Sequence, residues 1–329
     1  MNNDIINFKN YDMENEMNKT LVSICCIAYN QKNYIKQCLD GILMQKTNFK
    51  FEVLIHDDCS TDGTTEIIKE YEQKYPDIIK PIYENENQFS KGISISKVYN
   101  FPRVKSKYVT ICEGDDYWTD QYKLQKQVDF MEQNPDYTIC FHNVKRIFEN
   151  LPIPEDIFPA QVVQSSVFDF SFNSLLECNF IPTNSVMYRW DSVENVVDKF
   201  PNSLLPGDWY LHLLFAKQGK IHFIEDVMSV YRINGGGIWG AVPQEIRLLR
   251  FSLKIFNFYF NVYKNFAYKN QVFYHELLKI CENIQTVNFK YKKYTVLIKF
   301  FLKYPKLNIC AFFRKNILFA RILYDNFNG

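Results

Sequence analysis

The sequence predicts a mixed α/β domain on a mainly parallel sheet, followed by a helical appendage. Three observations predict it. Short continuous apolar runs such as Leu21–Ala28 alternate with stretches of helical periodicity, the pattern of βαβ units. Polar and acidic residues gather directly after those runs, at the carboxyl edge where open α/β sheets bind ligands. The charge is also divided along the chain. Residues 241–329 hold 15 Lys and Arg against 4 Asp and Glu, a balance of +11, which leaves 23 against 33, or −10, in residues 1–240. The expected layout is a polar extension over 1–20, an α/β domain over 21–240 and a basic, aromatic, helical region over 241–329.

The elements follow in order. Leu21–Ala28 reads as a central strand buried on both faces, and it ends at Tyr29-Asn30. Ile35, Leu39, Ile42 and Leu43 share a helical face with Asn33 as N-cap. Phe51–His56 is the second strand and runs into Asp57-Asp58-Cys59-Ser60-Thr61-Asp62-Gly63-Thr64, which opens a helix to Tyr75 that Pro76 stops. Ile79–Tyr83 is a third strand. An irregular segment carrying Lys91-Gly92 leads to the strand Tyr108–Cys112. Asp120 then caps a helix with Leu124, Val128 and Met131 on one face, and Tyr137–Phe141 is a strand. Residues 151–170, rich in proline, read as a loop over the ligand face. Ile181–Tyr188 returns to the sheet, Trp209–Lys217 is a helix, and Ile221–Ile224 and Val227–Tyr231 are short strands before a glycine-rich loop through Trp239.

Composition excludes several classes. With 329 residues, 47% of them hydrophobic and 23% charged, the chain is ordinary globular material. Nine cysteines, with no Cys-x-x-Cys spacing, suggest neither a disulfide framework nor a zinc site, and point to the cytoplasm. The first twenty residues are acidic where a signal peptide is basic and apolar, and no apolar run approaches the roughly 18 residues of a spanning helix. Glycine-rich nucleotide loops and a Gly-x-Ser-x-Gly elbow are absent.

The most informative stretch is Cys112-Glu113-Gly114-Asp115-Asp116-Tyr117-Trp118. Three carboxylates in four positions at a strand end call for a cation, and Mg²⁺ or Mn²⁺ is typically held by one or two carboxylates together with phosphate oxygens. A solvated acidic loop is the bland alternative. His56-Asp57 invites a metal phosphohydrolase reading, for which the other histidines have no telling spacing.

Taken together, these blocks resemble a family-2 glycosyltransferase of the GT-A fold, from about Leu21 to Trp239. Val22-Ser23-Ile24 through Tyr29-Asn30 resembles the family's opening strand, and His56 to Thr64 its nucleotide-binding turn. Glu113 to Asp120, with Lys123-Leu124-Gln125-Lys126-Gln127 behind it, resembles the metal motif of a bacterial subgroup, and Gly207-Asp208-Trp209 with Tyr231-Arg232 the block that supplies a base. The resemblance implies a metal-dependent, inverting transfer of a sugar from a nucleoside diphosphate sugar, UDP before dTDP, to a hydroxyl on a glycan or lipid-linked acceptor in surface-polysaccharide assembly. It further implies that Ala28, Tyr29 and Asn30 line base and ribose and that Asp58 accepts from the base imide. Lys91 would meet the diphosphate, with Glu113 nearby. Asp115 would contact ribose or metal, Asp116 would ligate the metal, and Asp208 would be the general base. Asp58 also fits a turn-capping acid and Asp208 an N-cap. Asn234 stands where many relatives carry His. Trp118 and Trp239 are candidates to stack on sugar. The rival readings are a non-catalytic nucleotide-sugar-binding scaffold and the phosphohydrolase.

In the basic region, Phe300, Phe301 and Leu302 lie between Lys299 and Lys303, and Phe312-Phe313 beside Arg314-Lys315. Alternating anchors and cations suit peripheral attachment to an anionic membrane. Packing on the α/β domain or an oligomer interface are the alternatives, and no nucleic-acid motif accompanies the charge.

Overall fold

The computed structural model describes residues 19–149, 152–159, 170–200 and 207–234, all within one compact unit. The extension before residue 19, the basic region from 241 and Trp239 lie outside the described residues. The elements are β1 (Thr20–Ala28), α1 (Ile35–Leu43), β2 (Lys50–Asp57), α2 (Thr64–Lys74), β3 (Ile79–Tyr83), β4 (Tyr108–Ile111), β5 (Tyr117–Trp118), α3 (Lys123–Gln133), β6 (Tyr137–Phe148), β7 (Asp156–Phe158), α4 (Phe172–Glu177), β8 (Met187–Arg189), α5 (Val196–Lys199), α6 (Gly207–Ala216) and β9 (Lys220–Ile233).

The strands form one mixed sheet in the order β3-β2-β1-β4-β8-β6-β9-β5, with β7 on β6. β3, β2, β1 and β4 are parallel. β8 runs against both β4 and β6, β9 runs with β6, and β5 runs against β9. Thus β1, β2, β4, β6 and β9 all deliver their carboxyl ends to one edge. Ala28 lies opposite Asp57, and Cys25 opposite Ile111. The apolar runs are buried as their continuity requires: Val22, Ile24, Cys26, Val53 and Ile55 have no solvent exposure. α1 covers them with Ile35, Cys38, Leu39 and Ile42, and α3 with Leu124, Val128 and Met131.

Several local expectations are corrected. α1 is capped at Tyr34 without a side-chain bond, because the Gln31 carbonyl already takes the N–H groups of Tyr34 and Ile35, each at 2.9 Å; Asn33 is not its cap. α3 begins at Lys123 with Tyr122 as its cap residue, while Asp120 holds the turn before it through Tyr122 N–H at 2.7 Å. Asp156–Phe158, expected in a loop, adds a strand to β6. The two short strands expected over 221–231 are one strand, β9, whose register shifts where Asn143 meets Val227. Among the described residues no helix is long and apolar enough to cross a membrane.

One close approach fixes α1 against the chain that leaves the acidic stretch. A Cβ on Gly41 would stand 2.7 Å from the Trp118 carbonyl oxygen and 2.9 Å from its nitrogen, so only glycine lets these backbones meet. Trp118 itself is 1% exposed, and its indole N–H donates to the Asn184 carbonyl at 3.0 Å. It is a core residue and has no face free for a sugar. Behind it, fully buried Lys123 lies 4.1 Å above the indole ring and donates to Gln127 Oε1 at 2.8 Å. Burial pushes its pKa down to about 7.

Candidate active site

The site is built at the carboxyl edge from three strand ends. At the first, Asn30 adopts a left-handed backbone with φ 51°. Its side-chain oxygen accepts the Thr61 N–H at 2.8 Å, and its own N–H donates to Ser60 Oγ at 2.9 Å, so the exits of β1 and β2 are tied together. Tyr29 beside it is 46% exposed, whereas Ala28 is fully buried and its carbonyl accepts the Asp58 N–H at 3.0 Å.

At the second strand end the adjacent aspartates have different partners. Asp57 is held by Ser60, through N–H at 3.2 Å and hydroxyl at 2.5 Å, and by Thr65. Asp58, 1% exposed, accepts the N–H groups of Gln88 at 2.8 Å and Phe89 at 3.0 Å. A carboxylate has about four acceptor positions, so Asp58 anchors the loop after β3 with two of them and retains capacity for a further donor. Lys91, on the same loop, is paired with Glu86. His56 packs on Tyr99, with ring centroids 4.4 Å apart, and lies 3.6 Å from Glu84. The side chains of His56 and Asp57 have different partners, Glu84 and Tyr99 for the one and Ser60 and Thr65 for the other.

The third strand end is the acidic turn. It continues β4 along β1 through Gly114 N–H to the Ile27 carbonyl at 3.0 Å, and closes through Asp116 N–H to the Glu113 carbonyl at 2.9 Å. Arg232, at the end of β9, grips it from the far side. Its backbone N–H donates to Asp116 Oδ1 at 2.8 Å and its guanidinium to the Asp115 carbonyl. Asn234 Nδ2 donates to Asp115 Oδ2 at 3.1 Å, so this amide holds a carboxylate of the turn. Asp116 is 1% exposed, and its Oδ2 is buried with no hydrogen-bond partner among the described residues. Sequence reasoning placed Tyr231-Arg232 in a family block without a role for Arg232.

Asp208 approaches from α6, in whose first turn it lies, and accepts the Thr183 hydroxyl at 2.9 Å. One turn on, His212 is fully buried and shares a 2.6 Å hydrogen bond with the Tyr188 hydroxyl. Burial lowers its pKa to about 4 against the opposing pull of Asp208, so it packs as a neutral ring.

Electrostatics give these carboxylates a common character. Burial, then the neighbouring Asp115, holds Asp116 well above the ordinary range, and burial raises Asp115 against the bond from Asn234. Glu113 opens to solvent at the cleft, yet the surrounding protein displaces enough water to push it up to about 8, with Asp115 and Asp208 adding to the shift. The Tyr231 hydroxyl is raised by burial and then by Glu113, Asp116, Asp208 and Asp115. Carboxyls that resist ionising together in this way, with one oxygen unpartnered among the described residues, fit a hard divalent cation, which would favour their charged forms. Among the described residues no group of three or more His, Cys, Asp or Glu is arranged to hold a metal ion by itself.

Comparisons with known proteins show the family and the fold. The model of the family described as Glycosyl transferase family 2 matches residues 23–234. An uncharacterized protein of Mycobacterium tuberculosis is 40% identical over 226 residues, 69% of this chain and 62% of that protein; the match thus spans less than two thirds of that relative. The Escherichia coli UDP-Glc:alpha-D-GlcNAc-diphosphoundecaprenol beta-1,3-glucosyltransferase WfaP is 28% identical over 219 residues, covering 66% and 79% of the two chains. The fold is that of the mannosyltransferase PcManGT from Pyrobaculum calidifontis, solved with GDP-Man and Mn²⁺. The TM-score is 0.53 at 15% identity, over 91% of this chain and 80% of that one.

Proposed function

Because this chain belongs to glycosyltransferase family 2, we propose that it transfers a sugar, with inversion, from a nucleoside diphosphate sugar to an acceptor hydroxyl, and that it needs a divalent cation to do so. The observation that carries the reading is the acidic turn under Asp208: a buried Asp116 oxygen with no partner, beside Asp115 and Glu113 whose pKa values are all raised.

Tyr29 offers an exposed ring for a nucleobase, and Asp58 an acceptor for its imide N–H, held in place by two backbone donors. Asn30 fixes the ribose side of the pocket. Lys91, released from Glu86, has the reach to meet the diphosphate. Asp116, with Asp115, would hold Mn²⁺ or Mg²⁺, which supplies neutralisation of charge on the departing diphosphate. Asp208 takes the proton of the attacking hydroxyl, and its bond from Thr183 orients the carboxylate. As the hydroxyl oxygen bonds to the anomeric carbon from one face, the bond to the diphosphate oxygen breaks on the other. UDP is the preferred nucleotide and a glycan or lipid-linked acceptor the preferred class. The UDP-Glc donor and the diphosphoundecaprenol-linked acceptor in the name of WfaP support both, and surface-polysaccharide assembly is the setting we propose.

The deciding experiment incubates the full chain with UDP-sugars and candidate acceptors, with Mn²⁺ or with excess chelator. Sugar–acceptor product with Mn²⁺ alone supports the reading. Free sugar without an acceptor product, or equal transfer in chelator, refutes it. Nucleotide-sugar binding with no turnover on any acceptor favours the scaffold.

A further inference from the structure

We propose that Arg232 is the positioning residue of the acidic turn, and that its ion pair with Glu149, steadied by Tyr34, sets how tightly the turn holds a divalent cation. This rests on the metal reading above. Arg232 addresses two consecutive acidic residues with two different groups, its backbone N–H on the Asp116 carboxylate at 2.8 Å and its guanidinium on the Asp115 carbonyl. The two residues therefore cannot turn independently, and Asp116 Oδ2 is left as the oxygen without a partner.

The guanidinium is itself fixed from every side. Nη2 donates to Gln37 Oε1 at 2.8 Å, and Nε stands 2.8 Å from Glu149 Oε1. The Tyr34 ring lies 4.6 Å from the guanidinium carbon and the Tyr117 ring 5.1 Å. Glu149 is held in turn by the Tyr34 hydroxyl at 2.6 Å. Arg232 is 8% exposed; both terminal nitrogens of its fork donate to protein oxygens, and Nε is paired with Glu149 by charge and not by a hydrogen bond, so the guanidinium is engaged with the turn and not with a substrate phosphate. Only a planar, forked cation satisfies three partners while stacking on rings; a lysine carries one point charge. Groups that orient a metal's ligands typically change affinity by about 10–100-fold when removed.

The test measures Mn²⁺ binding to the full chain in the presence of UDP, from the loss of the free Mn²⁺ spin-resonance signal, for wild type, Arg232→Lys, Glu149→Gln and Tyr34→Phe. We expect Arg232→Lys to weaken Mn²⁺ binding by about 10–100-fold, Glu149→Gln and Tyr34→Phe to weaken it less, and saturating Mn²⁺ to restore most of kcat in all three. Rescue by metal is the readout that a merely structural role would not give. If Arg232→Lys fails to fold, the two milder variants decide. Wild-type binding with unchanged affinity in the folded variants overturns the positioning role and leaves the metal reading standing. Absence of Mn²⁺ binding in wild type overturns both.

Discussion

Asp116 is bound to Arg232 through one oxygen only: the Arg232 N–H donates to Oδ1 at 2.8 Å, while Oδ2 is buried and unpartnered. In the folded chain without a cation this carboxyl is held well above its ordinary value of 3.8, mainly by burial. The folded state therefore keeps a proton that the unfolded state has released. Its contribution to stability is complete below about pH 4 and is lost as pH rises toward the folded value. Asp116→Asn removes this loss. In chelator the variant should melt above wild type by a margin that widens as pH rises above the ordinary carboxylate value, and added Mn²⁺ should stabilise only wild type. A constant margin, or equal stabilisation by Mn²⁺, would show that Asp116 is not the metal carboxylate.

Asp208→Asn preserves the shape that accepts from Thr183 and removes the proton acceptor. Turnover at saturating donor should fall by about 10²–10⁴-fold, with UDP-sugar affinity within about twofold of wild type. Normal turnover with lost donor affinity would place Asp208 in donor binding.

Gly41→Ala sets two effects in opposition. Alanine in a helix interior is favoured over glycine by about 1 kcal/mol, but its Cβ would stand 2.7 Å from the Trp118 carbonyl, and overpacking costs about 1–3 kcal/mol. Backbone on both sides cannot give way as a side chain can, so packing wins. Urea unfolding should show a net loss of about 1–2 kcal/mol, with reduced transfer because Trp118 follows the acidic turn. A more stable variant would contradict this contact.

Lys123 gives the opposite pH sign to Asp116. Its folded value, about 7 against 10.5 unfolded, means that the folded chain binds fewer protons between those limits, so its contribution to stability grows as pH rises from about 7 and is lost on acidification. Relative to Lys123→Met, wild type should gain in urea midpoint between about pH 7 and pH 9. Parallel pH profiles for the two proteins would mean that Lys123 is solvated.

The basic region supplies a sequence-based prediction. Full-length chain should co-sediment with anionic vesicles at low salt and be released by high salt. Replacing Lys299, Lys303, Arg314 and Lys315 by Gln should weaken binding by about 1 kcal/mol per charge. Equal sedimentation of the two chains would remove these cations from membrane binding.

Legibility followed the distance in sequence between partners. β1, β2, α2 and β3 were read nearly to their ends because each buried face is completed by a neighbour close along the chain, as in successive βαβ units. β9 was read as two pieces because Glu225, Asp226 and Val227 are exposed in mid-strand and break the apolar pattern. Strand β7 is three residues long, too short for any periodicity to show. In the site, the acidic turn and Asp208 stood out by composition. Arg232 did not, since the meaning of an arginine lies in what it touches, and its contacts with Asp115 and Asp116 span 117 and 116 positions. Lys91 and Trp118 were legible as residue types and not as environments: one is engaged by Glu86 and the other is enclosed by the core.

The place of β9, between β6 and β5, also orders events during translation. Glu113 to Asp116 leave the ribosome more than a hundred residues before Arg232 and Asn234, which shape them, and β5 must wait equally long for its partner β9. A nascent chain can thus complete its four parallel strands while the acidic turn remains without its clamp. On the proposed function, cation binding is then acquired at the end of the domain's synthesis, and a chain halted before Lys220 would carry Asn30 and Asp58 in place with the acidic turn still unclamped.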